Sequence, residues 1–172
     1  TPLHGALQRA GRYFATDDPW KDSSGNMLTC RQNYAILTTD GYWNQKDGFD
    51  GTTLAKYTNS DGKLVSAGNG KGNVDSGAGY PYQDNIAYTL ADVAYYYWMN
   101  DLRPAMTNNV RSGSGDPATW QHMVTFGVSI GQQGNYDPTG NAPNPFPDVW
   151  LKDSYTNSSW ANSDGKQRID DL

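Results

Sequence analysis

The chain has 172 residues, a formal net charge of −5 and no long run of Lys or Arg, which argues against a nucleic-acid-binding protein. No stretch approaches the roughly 18 consecutive apolar residues of a membrane-spanning helix, so we expect no membrane span. Aromatic residues are numerous, with six Trp and twelve Tyr, and Gly, Asn, Asp, Ser and Thr separate them. This style of composition is common in exported bacterial proteins.

The first residues predict an amphipathic helix over residues 2–15. Thr1 stands where an N-cap belongs, and Pro2 stands at the first helical position. An apolar stripe follows at helical spacing, formed by Leu3, Ala6, Leu7, Ala10, Tyr13 and Phe14. Asp17, Asp18 and Pro19 are expected to end this helix.

A short, mostly apolar run over residues 33–39 predicts the first strand. Asp40 and Gly41 close it. A continuous run of this kind is typical of a strand buried on both faces in a parallel sheet. Asp40 then lies just past the carboxyl end of the strand, and ligands of open α/β sheets bind at that edge.

The remaining elements alternate with polar connections. Residues 41–84 are rich in Gly, Asn and Asp, and a loop of this length inside a domain is usually functional or disordered. We predict a helix over about 86–100, a strand over 123–130, an irregular loop over 132–147 and helical starts at 147–154 and 168–172.

Alternation of helix and strand predicts an α/β fold with a parallel sheet. Two strands alone cannot bury both faces of a sheet or cover both of its edges. We therefore expect further sequence to complete the sheet, and a chain that begins at Thr1 on a helix signal is expected to be a piece of a longer protein.

The residue types that carry zinc or redox chemistry are few. Cys30 is the one cysteine, which leaves open a disulfide to a residue outside the chain, a free thiol or a small buried hydrophobe. His4 and His122 are the two histidines, and no Cys or Glu stands at zinc spacing from either. We interpret both histidines as structural.

Thr1 and Asp40 form the candidate metal site. Both stand where the chain enters or leaves regular structure, at what is predicted to be one edge of the sheet. A hydroxyl and a carboxylate there are hard oxygen ligands, suited to Mg²⁺, Ca²⁺ or Mn²⁺ and not to zinc. The residues alone leave open that Thr1 is only an N-cap and that Asp40 is only part of a turn.

Residues 34–44 resemble the fourth strand of von Willebrand factor A domains, in which an aliphatic run ends in Thr-Asp-Gly, here Thr39-Asp40-Gly41. Thr1-Pro2-Leu3 resembles the threonine loop of the same domains. The resemblance implies a doubly wound, mostly parallel sheet and a metal-ion-dependent adhesion site whose ligands here are Thr1 and Asp40. The family's Asp-x-Ser-x-Ser loop is absent from the chain. Mg²⁺ or Ca²⁺ would thus bind the intact domain, with weak or no binding by this part of it.

Four blocks, in order along the chain, resemble the PilY and PilC family of type IV pilus tip-associated proteins: residues 30–44, 90–104, 120–126 and 168–172. The resemblance implies a secreted protein at the surface of a Gram-negative bacterium, acting in pilus assembly and adhesion. Its expected partners are pilins or minor pilins and host or abiotic surface ligands. Residues 1–172 would be the C-terminal part of one von Willebrand A-like domain, with an insertion over about 41–84.

An enzyme is not expected. The chain has no Gly-x-Ser-x-Gly turn, no phosphate loop and no Cys beside a plausible His partner. A carbohydrate-binding module that uses exposed Trp and Tyr, such as the run from Tyr95 to Trp98, remains the alternative function. A purely structural spacer is the third possibility.

Overall fold

The computed structural model describes residues 3–40 and 89–131. The elements in this part are helix α1 (Leu3–Phe14), strand β1 (Asn33–Thr39), helix α2 (Leu90–Met99) and strand β2 (Met123–Ser129). A 3₁₀ turn over Asp18–Trp20 follows α1 where that helix was predicted to end. Thr1, the insertion at 41–84, the start of the helix predicted from 86 and the helical starts at 147–154 and 168–172 lie outside the described residues.

The two strands form a parallel pair. Asn33 lies opposite Met123, and the register continues to Thr39 opposite Ser129. The strands were predicted at 33–39 and 123–130, and their parallel pairing confirms the α/β class. A parallel pair needs a crossover connection, which here includes α2.

Both helices pack on the same face of the sheet. The buried core joins Leu3 and Leu7 of α1 to Leu90, Val93 and Tyr97 of α2, and Leu37 of β1 and Met123 of β2 lie beneath the helices. Each helix contributes the apolar positions three, four or seven residues apart that a core-facing helix requires. These contacts form one small core between a helical layer and a sheet.

The helices run in the same direction as each other and opposite to the strands. Just past the end of α2, Arg103 donates a hydrogen bond to the carbonyl of Ala15, which follows α1, over 3.0 Å. Nearby, the Leu102 amide donates over 2.8 Å to the carbonyl of Gln121, which precedes β2. The ends of both helices therefore meet the start of β2, and the starts of both helices lie near the carboxyl ends of the strands.

The opposite face of the sheet is apolar and exposed. The exposed fractions are 50% for Tyr34, 69% for Ile36, 50% for Phe126, 43% for Val128 and 57% for Ile130. We call these five residues the open sheet face. Within the described residues β1 is buried on one face only, whereas the sequence predicted burial on both, because both described helices cover the same side.

Trp20 anchors the connection that follows α1. Its side chain is fully buried, and its indole Nε1 donates a hydrogen bond over 2.7 Å to the carbonyl of Phe14. Carbonyls in the last turn of a helix lack intrahelical partners, so this bond satisfies one of them. A buried indole directly after the predicted end of the helix was not anticipated from the sequence.

Candidate functional site

The carboxyl edge of the sheet carries Asp40 in the predicted position. Asp40 follows β1 directly and is exposed, whereas the preceding Thr39 is 8% exposed. The Ile130 amide donates a hydrogen bond to the Thr39 carbonyl over 2.8 Å, which continues the strand pairing past the end of β2. The backbone that precedes Asp40 is therefore held, while its carboxylate faces solvent.

Thr1, the other predicted ligand, lies outside the described residues. The first described residue of α1, Leu3, packs in the same core cluster as Leu37 near the end of β1 and Leu90 at the start of α2. Because α1 runs opposite to the strands, its start lies towards the carboxyl ends of the strands. The meeting of Thr1 with Asp40 stays a prediction.

A second carboxylate at this edge is already in use. The Asp92 side chain is buried in the first turn of α2, where its Oδ2 accepts hydrogen bonds from the Thr89 amide at 2.9 Å and the Thr89 hydroxyl at 3.2 Å. The Asp92 amide donates back to the Thr89 hydroxyl over 3.1 Å, which completes a reciprocal capping box. Asp92 begins the helix, and Asp40 is the solvent-facing carboxylate of the edge.

The donors at this edge fit a hard cation only in part. The Asp40 carboxylate is an oxygen ligand of the kind that Mg²⁺ and Ca²⁺ prefer. Within residues 3–40 and 89–131, no group of three or more His, Cys, Asp or Glu side chains is placed to hold a metal ion. A cation would therefore need further oxygen ligands besides those described.

A polar network at the other end of α2 was not predicted from the sequence. The Asp116 carboxylate accepts from the Trp98 indole, with 3.1 Å between Nε1 and Oδ1, and contacts His122, with 2.8 Å between Nε2 and Oδ2. The Trp120 indole donates over 2.9 Å to the carbonyl of Trp98. Asp116, Trp98, Trp120 and His122 form what we call the Trp–Asp–His network, which ties the connection before β2 to the last turn of α2.

Two opposing effects act on Asp116. Burial raises the pKa of its carboxyl, but the hydrogen bonds from His122 and Trp98 lower it more, so this pKa lies below its ordinary value. The carboxylate is therefore ionised near neutral pH. One sign of this network was present in the sequence, namely Trp120 two residues before His122. That histidine was interpreted as structural.

The histidine and cysteine predictions have different outcomes. His4 and His122 are buried, at 0% and 3% exposure, which agrees with a structural role for both. Cys30 is exposed with a free thiol, so the interpretation as a buried hydrophobe is wrong.

The described helices do not include one long and apolar enough to cross a membrane. Curated relatives match the chain over most of its length, and all of them are pilus proteins. The chain belongs to the PilY/PilC family, as the four ordered blocks predicted.

The type IV pilus biogenesis factor PilY1 of Pseudomonas aeruginosa strain UCBPP-PA14 is 36% identical over 148 residues, covering 76% of this chain and 12% of that protein. PilY1 of strain PAK is 32% identical over 154 residues, with the same coverage of 76% and 12%. The chain thus spans 12% of the length of the curated relatives it matches. No protein-family model and no solved structure matches the chain.

Proposed function

We propose that the chain is part of a type IV pilus biogenesis factor that acts by binding and not by catalysis. The observation that carries the proposal is the 36% identity to PilY1 over 76% of the chain. Identity at this level over about 150 residues reflects common descent. The protein would be secreted and associated with the pilus at the surface of a Gram-negative bacterium.

The domain would have a von Willebrand factor A-like fold, with helices on both faces of a mostly parallel sheet. The parallel pairing of β1 with β2 and the packing of both described helices on one side of this pair support the proposal. The open sheet face supplies the second support. Contiguous apolar patches of this kind are rarely left in water, and a second helical layer would cover them.

The binding site would be the carboxyl edge of the sheet. Thr1 and Asp40 would supply a hydroxyl and a carboxylate to a Mg²⁺ or Ca²⁺ ion, with the remaining ligands from an Asp-x-Ser-x-Ser loop elsewhere in the domain. The bound cation would offer an open coordination position to a carboxylate on a partner. Pilins, minor pilins and host or abiotic surfaces are the partners that this role implies.

Calorimetry tests the site directly. Mg²⁺ or Ca²⁺ is titrated into the full-length protein, comparing the wild type with Asp40→Ala and with Asp18→Ala as a matched control. Asp18 is also an exposed aspartate that follows a regular element, but it lies near the end of α1 and not at the carboxyl edge. We expect Asp40→Ala alone to remove one binding event, and identical heats in all three proteins would refute the site.

The carbohydrate-binding alternative has less support from the described aromatic residues. The rings of Tyr95 and Trp98 are adjacent, 5.9 Å apart, but both indole donors nearby, those of Trp98 and Trp120, are used inside the Trp–Asp–His network. Glycan arrays with and without chelator separate the two functions, because sugar binding that survives chelator would favour the alternative.

A further inference from the structure

Both ring nitrogens of His122 face hydrogen-bond acceptors. Nε2 lies 2.8 Å from a carboxylate oxygen of Asp116, and Nδ1 lies 2.6 Å from the carbonyl oxygen of Trp120. Neither partner atom carries a hydrogen to donate while Asp116 is ionised. A neutral imidazole has one N–H and one lone pair, so one of the two contacts would set a lone pair against an oxygen.

The surroundings favour the ionised form of Asp116. The Trp98 indole donates to its Oδ1 over 3.1 Å, and the Ala118 amide donates to the same oxygen over 3.4 Å. Both of these donors use Oδ1. Burial raises the pKa of the carboxyl, but the hydrogen bonds from His122 and Trp98 hold this pKa below its ordinary value, so Oδ2 carries no proton near neutral pH. The hydrogen needed to satisfy both contacts therefore belongs on the imidazole.

We propose that His122 is held as a doubly protonated imidazolium, and that its ion pair with Asp116 is a pH-sensitive clamp on the connection before β2. The side chain of His122 is 2% exposed and that of Asp116 is 23% exposed, so solvent screens the ion pair only weakly. A buried charge is tolerated only when it is paired and hydrogen-bonded, as this one is on both nitrogens.

Several elements converge on the pair. Among the residues that the structure describes, the charged group that contacts the ring is the Asp116 carboxylate, on the connection itself. Helix α2 presents Trp98, whose indole holds the other carboxylate oxygen, and the Trp120 ring lies 6.3 Å from the imidazole between centroids. Met123, the fully buried first residue of β2, follows His122 directly.

The clamp would control an exposed turn. Asp116 and Gly113 exchange two backbone hydrogen bonds, of 2.7 and 3.2 Å, and the residues between Arg111 and Gly115 are exposed. When His122 loses a proton, the lone pair of one ring nitrogen faces an acceptor oxygen, and that contact becomes repulsive. The ion pair is then lost while the Trp98 indole still donates to Asp116, so the turn that Asp116 closes is held less firmly against α2.

Nitrogen-15 NMR of the histidine side chains tests the proposal in the full chain. The two histidines are told apart with a His4→Gln variant. We expect both His122 nitrogens to carry protons at pH 7, and their deprotonation at higher pH to coincide with a change in Trp fluorescence and about a tenfold fall in the protection of the Gly113 and Asp116 amides against exchange. A ring with one N–H at pH 7 in the wild type would overturn the proposal without any variant.

Asp116→Asn supplies the second arm, with Asp18→Asn as the control. Asparagine keeps an oxygen for the Trp98 indole but removes the negative charge that holds the imidazolium. We expect His122 to lose its proton at a lower pH in Asp116→Asn than in the wild type, and at the wild-type pH in Asp18→Asn. An unchanged titration in a folded Asp116→Asn protein would show that the pair is not coupled.

Discussion

Gly11 of α1 lies directly against the aromatic ring of Tyr97 in α2, so closely that a Cβ atom at position 11 would overlap the ring. This contact lets the two helices approach over the sheet, and Tyr97 is 2% exposed as a result. Burial also raises the pKa of the Tyr97 hydroxyl well above its ordinary value, so the ring stays neutral at any physiological pH.

Gly11→Ala is therefore expected to destabilise the chain. Alanine gains about 1 kcal/mol in helix propensity over glycine, but overpacking a tight core costs about 1–3 kcal/mol, so the net change is unfavourable. Urea denaturation measures it. Gly115→Ala is the control, because a Cβ at that exposed glycine meets nothing within 4 Å. Equal stabilities of the two variants would mean that the helices can separate without cost.

Trp20→Ala should be among the most damaging substitutions in the described residues. Removal of a fully buried indole costs about 3–5 kcal/mol, because the cavity is only partly filled by relaxation. Trp20→Phe separates packing from hydrogen bonding, since it keeps a ring but loses the donor to the Phe14 carbonyl, worth about 1 kcal/mol. If both variants unfold at the wild-type urea concentration, the connection after α1 is not anchored by this residue.

Asp116 makes the free energy of unfolding depend on pH in the acidic range. Its pKa is lower in the folded chain than the value of about 3.9 expected when unfolded, so its contribution is complete above that value and is lost as the pH falls through the folded pKa. The free energy of unfolding, measured by denaturant at successive pH values below 5, should fall more steeply in the wild type than in Asp116→Asn. Parallel curves would contradict this linkage.

Asp40→Ala should leave the fold intact. The residue is exposed and follows the last paired position of β1, so we expect the substitution to change the free energy of unfolding by less than about 0.5 kcal/mol. Thermal unfolding without added metal measures this, and a large loss would assign Asp40 a structural role in place of a binding one.

Polar substitution on the open sheet face should act differently in the chain alone and in the whole protein. Ile36→Thr keeps a β-branched residue but removes apolar surface, and it should lower dye binding and self-association of the isolated chain. The same change in the full-length protein should be destabilising if a second layer covers Ile36. Met99→Thr, at an exposed apolar position 42% accessible at the end of α2, is the control. No loss of stability in the full-length protein would argue against a covered face.

The backbone elements were largely predictable because their signals are local. The apolar run at 33–39 and the β-branched run from Met123 specify strands through neighbouring residues, and the helical stripe of α1 does the same. Local sequence does not determine which face of β1 is covered. Ile36 is as apolar as Leu37, and only the placement of both helices on one side makes Leu37 buried and Ile36 exposed.

The side-chain network was beyond prediction for the same reason. Asp116, Trp98 and His122 meet only because the connection after α2 folds back on the end of that helix. Nothing in their spacing indicates that return, and the aromatic run at Trp98 predicted a helix face and not a hydrogen-bond donor to a distant carboxylate. At the candidate metal site, the position of Asp40 at the edge of the sheet could be predicted, because it depends only on where β1 ends.

The register that places Asn33 beside Met123 sets the order in which this region can assemble. The partner strand of β1 emerges only after the whole intervening segment has left the ribosome, and closing so long a loop costs entropy before any sheet bond forms. Helix α1 with its Trp20 turn needs only nearby residues, so it can form first. Strand pairing is then the slow step, and until it occurs the apolar residues of β1 have no parallel neighbour among the described residues.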